Sequence, residues 1–430
     1  MNSFALFFII FMVMLVLILP RRYAVIPIIA TACYMTLGQV IMIGSLHFYF
    51  IRILVIIGLI RIIARKEIKL INFSSIDKIF ILWVVSNSLA YVILRQDSAA
   101  IANRLGFALD AIGSYLLFRV CIRNIDDMRH LINSIGIIIV PLAIAMLFES
   151  LSGRNFYSMF GGVPEISMVR DGHIRCQGPF LHPILAGTFG ATILTLFLGQ
   201  WFSDKKKYIA LIGIIAATTI TITSASGGPA SVYLFGILAL CMWFVRKHMR
   251  IIRWGILLTI IGLHMVMKAP VWYLIARVGS VTGGSAFHRA EIIEQAVNHF
   301  NEWWLLGTSY TAHWMPYTIT IYPDQCDITN MFIVEGVQGG LLTMLLFIGI
   351  IVFCFRRIGC SLQPLDKNPF THNFFLWSIG ATLFAHIVAF FSVSYYDQSI
   401  FFYYMLIAMI AGTNRLFHST QEQESKIALE

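Results

Sequence analysis

The sequence predicts an all-α polytopic transmembrane bundle of 12–13 helices, and three observations carry that prediction. Hydrophobic residues make up 58% of the 430 and charged residues only 12%, with a mean hydropathy of +0.80. The surface of a soluble globule could not dissolve that balance. The apolar residues also fall into runs that match the roughly 20 a helix needs to cross about 30 Å of hydrocarbon, where every backbone group must be satisfied internally. Short alternating runs, the mark of a transmembrane barrel, are missing.

In chain order the spans are predicted near 3–20, 23–44, 47–64, 77–94, 101–121, 131–149, 183–202, 208–225, 229–245, 253–268, 331–355, 373–394 and 398–414. The first is followed by Arg21 and Arg22 and lacks a small-residue cleavage site, so it reads as a retained helix rather than a signal peptide. Residues 1–415 form one transmembrane domain, interrupted by polar loops at 150–182 and 269–330, and 416–430 form a polar, disordered tail. There is no internal repeat, low-complexity tract or soluble domain.

Basic residues set the orientation. Arg21-Arg22, Arg65-Lys66, Arg119-Arg123-Arg129, Lys205-Lys206-Lys207, Arg246-Lys247-Arg250-Arg253 and Arg356-Arg357 occupy alternate connections. Lys and Arg collect on the cytoplasmic side, so an odd helix count places the N-terminus and both long loops outside and the C-terminus inside. The net charge of +10 is mostly this topology signal, which makes nucleic acid a poor partner.

Topology does not ask for Arg154, Arg170, Arg175, Arg277 and Arg289, which stand in or beside the external loops. Each has two readings. A guanidinium there suits an anionic ligand such as a phosphate or carboxylate. Alternatively it meets lipid headgroups or pairs with Glu165, Asp171 or Glu291.

The first loop ends in Arg175-Cys176-Gln177-Gly178-Pro179-Phe180-Leu181-His182-Pro183, just before an apolar helix. Its Gly and Pro predict a turn that carries Arg175 to that helix's start, where an anion would meet both the Arg and the positive end of the dipole. In the second loop, His288-Arg289-Ala290-Glu291 opens an amphipathic helix with His288, Glu291, Gln295, Asn298 and Glu302 on one face. That helix either caps the bundle or carries chemistry. Beyond it, Asp324 to Asn330 leads into a helix opening with Glu335-Gly336-Val337-Gln338-Gly339-Gly340, so acidic and amide groups converge on that helix mouth. One of them could accept a proton from an attacking hydroxyl; Glu291 and Asp327 rank ahead of His288.

At these residues the chain resembles the O-antigen polymerase and O-antigen ligase superfamily of bacterial inner-membrane glycosyltransferases. The family's first signature is similar to Arg175, Gly178, Phe180 and Pro183, its second to Arg289 followed by Trp304-Leu305-Leu306-Gly307, and its third to Thr329-Asn330, Glu335-Gly336 and Gly339. There are two departures. The family often carries a Ser-Arg pair where this chain reads Ser224-Ala225-Ser226-Gly227-Gly228, and its usual His before Asn is Thr329 here. The missing His leans the reading toward polymerase, with His313 or His288 as substitutes if the chain is a ligase.

The resemblance implies a lipid-dependent (GT-C-like) glycosyltransferase architecture that transfers sugar at the periplasmic face from an undecaprenyl-diphosphate-linked glycan donor to a glycan acceptor. A chain-length regulator is an expected partner. Arg175, Arg289, Glu291 and Asp327 become the catalytic candidates, and Arg170, His182, His288, Asn330 and Glu335 the substrate-binding ones. No metal or other cofactor is expected, because no carboxylate pair, zinc-spaced His/Cys set or nucleotide-binding glycine pattern is present. The alternatives are an O-antigen ligase, a lipid-linked oligosaccharide flippase with broken helices in paired halves, and a non-catalytic assembly subunit.

Among the seven cysteines, Cys176 and Cys326 stand in external loops and are candidates for a disulfide, while Cys33, Cys121, Cys241 and Cys354 read as small apolar helix residues. Arg104 and Asp110 share one span, and Asp397 with Tyr395 and Tyr396 closes another external turn; they either line a groove for the lipid diphosphate or, the ordinary expectation, pair with each other or snorkel.

Overall fold

The computed structural model describes residues 2–44, 46–70, 73–203, 207–277, 286–316, 323–362 and 370–413. The predicted tail at 416–430, Lys205, Lys206 and two stretches of the second loop, 278–285 and 317–322, lie outside these residues.

Helix α1 (Ser3–Ile18) starts at Asn2, whose side chain accepts from the N–H of Phe4 at 3.0 Å. The second predicted span is not a crossing. Its α-helical part is α2 (Ile26–Tyr34); residues 35–39 are turn and irregular, and beyond them comes an antiparallel hairpin, β1 (Val40–Ile43) with β2 (Leu46–Tyr49), turning at Gly44 with φ +60°. Val40, Ile41 and Ile43 favour extended backbone, and hydropathy alone cannot separate a buried strand from a helix.

Helices α3 (Phe50–Ala64) and α4 (Ser75–Arg95) follow, the latter opened by a reciprocal Ser74–Asp77 capping box. Helices α5 (Ser98–Ala108) and α6 (Ser114–Cys121) run into each other through a π-helical turn at Leu109–Gly113. Helix α7 (Ile125–Ser152) is 28 residues long, about 42 Å at 1.5 Å per residue, and so outreaches the hydrocarbon to carry Glu149 into the first loop. It stops at Gly153, whose φ of +71° suits the residue without a Cβ.

The first loop holds a second hairpin, β3 (Met168–Arg170) with β4 (His173–Arg175). Then come α8 (Pro183–Ser203), α9 (Lys207–Thr223), α10 (Gly227–Cys241) and α11 (Met249–Val266), the last two joined by a 3-10 stretch kinked at Val245. The second loop contains α12 (Ala286–Asn298) and the single turn α13 (Phe300–Trp303). Helices α14 (Met331–Leu362), α15 (Phe370–Phe390) and α16 (Ser399–Gly412) complete the bundle.

Among the described residues, six stretches are long and apolar enough to cross a membrane: α4, α7, α8, α10 with α11, α14 and α15. Helices α1, α9 and α16 are apolar but shorter. Helix α8 is buried along most of its length, packed against α9, α10 and α15, while α14 packs on α4 and α16 on α6. Large apolar side chains such as Phe7, Leu151, Ile222 and Met265 are exposed, and α11 buries none of its residues. A bundle that shows its apolar side chains outward is at rest only in lipid. The protein is therefore an all-α, multi-pass membrane bundle.

The predicted Arg104–Asp110 pairing does not form. Asp110 receives the Arg52 guanidinium at 2.9 Å, and Arg104 donates to Asn87 at 2.6 Å and lies over the Tyr91 ring. Each ion finds its partner on another helix, because six positions along the α5–α6 helix put the two on different faces.

Candidate functional site

Glu149 organises the first loop. Its carboxylate accepts from Ser167 Oγ at 2.8 Å and from the backbone N–H groups of Gln177 and Gly178 at 3.1 and 3.0 Å. From the far side, Asp397, in the connection between α15 and α16, accepts from the N–H of Leu181 at 3.1 Å, and Gln398 donates to the carbonyl of Pro179 at 3.0 Å. Burial pushes the Asp397 carboxyl up despite these bonds. Residues 175–182 are thus clamped between two helix ends. The hairpin turn at Asp171-Gly172, both with positive φ, sends the chain back to Arg175.

His182 is the N-cap of α8, its Nδ1 accepting from the N–H of Ile184 at 3.1 Å. An acceptor at Nδ1 requires the neutral ring, and burial followed by the charge of Arg175 lowers its pKa to about 4. The start of α8 is therefore already occupied, which corrects the expected position of Arg175. That guanidinium faces the start of α10, where Nη2 donates to Ser226 Oγ at 2.7 Å. Its Nε is buried without a partner.

Arg289 arrives at the same place from α12. A Cβ built on Gly228 would lie 3.3 Å from Arg289 Nη2 and 3.1 Å from Ser392 Oγ. Arg289 is 8% exposed, its Nε has no partner, and it forms no salt bridge among the described residues. Burial, then the nearby charge of Arg170, lowers the pKa of both Arg175 and Arg289. Arg170, itself half-exposed, lies 3.7 Å from the carboxylate of Asp171. Ser226 gives α10 no side-chain cap, and the N–H groups of Gly227 and Gly228 have no intrahelical acceptor. Two guanidinium groups, with the charge of Arg170 nearby, meet an uncapped helix N-terminus. That arrangement suits an anion.

His288, next to Arg289, makes a 2.9 Å hydrogen bond between Nε2 and the carbonyl of Asp327. Asp327 itself is exposed; burial, then the charges of Asp397 and, least, Asp327, raises the hydroxyl pKa of Tyr396, on the same connection as Asp397. His288 and Asp327 thus stand together at the start of α12, one helix position round from the side chain of Arg289. Glu291 points away from Arg289 as well. Two positions along a helix turn it to the side of Glu294, whose hydrogen bond, ahead of burial and the charges of Glu294 and Glu291, raises the Tyr273 hydroxyl.

Two other candidates are built into the frame. Asn330 is the N-cap of α14, accepting from the N–H groups of Phe332 and Ile333 at 3.0 and 3.3 Å. Glu335 is buried one turn later, where it accepts from Trp83 Nε1 at 2.8 Å and Asn87 Nδ2 at 3.1 Å and so binds α14 to α4. Cys176 and Cys326 are both buried free thiols, with no disulfide between them, and burial pushes Cys176 up to about 12.

Helix α14 is interrupted at Gly340, with φ +77° and ψ 178°. The second loop fills the break: Thr308 N–H donates to the Val337 carbonyl at 2.9 Å and Leu341 N–H to the Trp304 carbonyl at 2.8 Å. Backbone groups freed inside a bilayer need such replacements. Ser226, Gly228 and Glu149 are the residues the sequence did not mark as site-forming. The Ser226-Gly227-Gly228 run before an apolar helix was the available signal.

No model of a known protein family matches the chain, and no curated protein matches it.

Proposed function

We propose that this protein is a lipid-dependent glycosyltransferase that polymerises undecaprenyl-diphosphate-linked oligosaccharide repeats at the periplasmic face of a bacterial inner membrane. The observation that carries the reading is the pair Arg175 and Arg289, both buried and without a carboxylate partner, converging on the uncapped start of α10. A buried, uncompensated guanidinium pair is costly. An anionic ligand such as the donor diphosphate removes that cost.

An apolar groove supports a lipid carrier in particular. It measures about 580 Å³ and is lined by Ile293, Val297, Phe300, Phe332 and Phe391 among others. Ile293 and Val297 follow Arg289 at i+4 and i+8, so the groove runs from the guanidinium along the same face of α12. A diphosphate at Arg289 would leave its prenyl chain in that groove.

In the reaction, the acceptor hydroxyl oxygen bonds to the anomeric carbon while the bond to the diphosphate oxygen breaks. The leaving lipid diphosphate keeps the electron pair, and Asp327 takes the hydroxyl proton. Arg175 and Arg289 neutralise the charge that grows on the diphosphate, an interaction strongest in the transition state. The break in α14 is filled by backbone bonds from the second loop, which suits a fixed reaction chamber better than a transport path.

The test is the surface glycan of a deletion strain complemented with Arg289→Ala. Wild-type abundance with single repeats left on the carrier is expected. Near-normal polymer length would sink the reading, full-length chains that fail to reach lipid A core would make the protein a ligase, and repeats trapped on the cytoplasmic face would make it a flippase.

A further inference from the structure

At the far end of α12 a second polar cluster forms, independent of the arginine site. His299, Glu302 on α13 and His313, in the 3-10 turn Ala312–Trp314, each bring one ligand-capable atom within 4.8 Å of the others. His313 Nε2 lies 3.0 Å from Glu302 Oε1.

Each of the three is held by a further group. His299 Nδ1 is 2.9 Å from the Gln295 carbonyl, which fixes the proton there and leaves the Nε2 lone pair free. Glu302 Oε2 accepts from the buried Trp314 Nε1 at 3.0 Å. The His299 ring stacks on Trp314, at 5.5 Å between centroids and 20°, and His313 on Tyr310, at 5.1 Å and 10°. A carbonyl, indole or ring that orients each ligand is the supporting shell metal sites carry. A surface ion pair between Glu302 and His313 would need none of it and would leave the placement of His299 without a reason.

We propose that His299, Glu302 and His313 bind one divalent cation of the zinc class. Two imidazoles and a carboxylate are borderline ligands that leave a fourth tetrahedral position for water. Beside His313 a cavity of about 420 Å³, lined also by Tyr310, Met315, Gln325 and Cys326, gives the ion a way in and that water a place. Ligand atoms on a tetrahedral ion with 2.0–2.1 Å bonds stand about 3.3 Å apart, so the cluster closes by up to about 1.5 Å on binding; Glu302 and His313, both partly exposed, have room to move.

The ion joins the two arms of the turn whose tip, Trp304 to Thr308, fills the break in α14. Its role is to hold the second loop, and with it the helix that bears Arg289, on the bundle. The sequence gives no zinc spacing because His313 returns only after the Gly307 turn.

The full chain, purified in lipid nanodiscs without a histidine tag, is stripped with a chelator and titrated with zinc chloride and, in parallel, cobalt chloride. One zinc per chain is expected by elemental analysis, with the absorption of tetrahedral cobalt and slower proteolytic nicking of residues 303–316 when metal is added. His299→Ala and His313→Ala should each weaken zinc binding at least tenfold and abolish the protection. Wild-type protein that binds zinc no more tightly than the double variant overturns the site. Should the variants not fold, a wild-type cobalt spectrum without tetrahedral bands overturns it equally.

Discussion

Arg175 Nη2 and Ser226 Oγ, 51 residues apart in sequence, meet at 2.7 Å. This contact brings the end of the first loop to the start of α10, while Nη1 reaches Met168 Sδ at 3.5 Å and Nε keeps no partner. The bond is charge-assisted, and such bonds contribute about 1.5–3 kcal/mol.

Removing the partner while keeping the charge isolates the effect of orientation. Ser226→Ala is expected to lower the rate of the proposed glycan transfer roughly 10- to 150-fold at unchanged protein abundance, the rate equivalent of that energy. Arg175→Lys should fall further, since an ammonium cannot both reach Ser226 and present a planar fork to the ligand. Transfer from purified lipid-linked donor in detergent measures both. A Ser226→Ala protein with wild-type turnover would show that the guanidinium is held by other means.

Gly340 tests the docking of the second loop. Its φ of +77° lies in the left-handed region, and a Cβ there would press on the Leu305 carbonyl. Gly340→Ala is expected to cost roughly 1–3 kcal/mol from backbone strain alone and to lower the amount of folded protein in the membrane. Gly359→Ala, on the same helix with open space around it, should be neutral. Thermal unfolding of the two variants side by side distinguishes a local clash from a general intolerance of α14.

His182 makes stability depend on pH. Its ring has a pKa of about 4 in the folded protein against an ordinary 6.5, lowered first by burial and then by Arg175. The unfolded chain therefore binds the proton more tightly, so the ring's contribution is complete above pH 6.5, declines as pH falls toward 4 and is gone below it. His182→Asn keeps an N-cap acceptor but cannot be protonated there. The wild-type melting temperature should fall more than the variant's between pH 6.5 and 4, and parallel curves would remove His182 as the cause.

Hydropathy and run length alone determined that this chain is a helical membrane bundle, because a bilayer admits few other solutions. They also marked the two loops and the arginines in them, since cations outside the cytoplasmic connections need another reason to be there. The same signals misread residues 40–49, where a hairpin is as apolar as a helix. They also ranked Glu291 by its place beside Arg289, although two positions along a helix point away from each other.

Only the tertiary structure decided which groups share the site. Arg175 and Arg289 are 114 positions apart in sequence, and their meeting place, Ser226 to Gly228, carries no charge to link it to either. Asn330 and Glu335 sit in a segment as polar as the site, yet they go to a helix cap and a buried hydrogen-bond network. A residue's chemistry is written locally, but its partners are fixed by how helices pack and where loops are clamped.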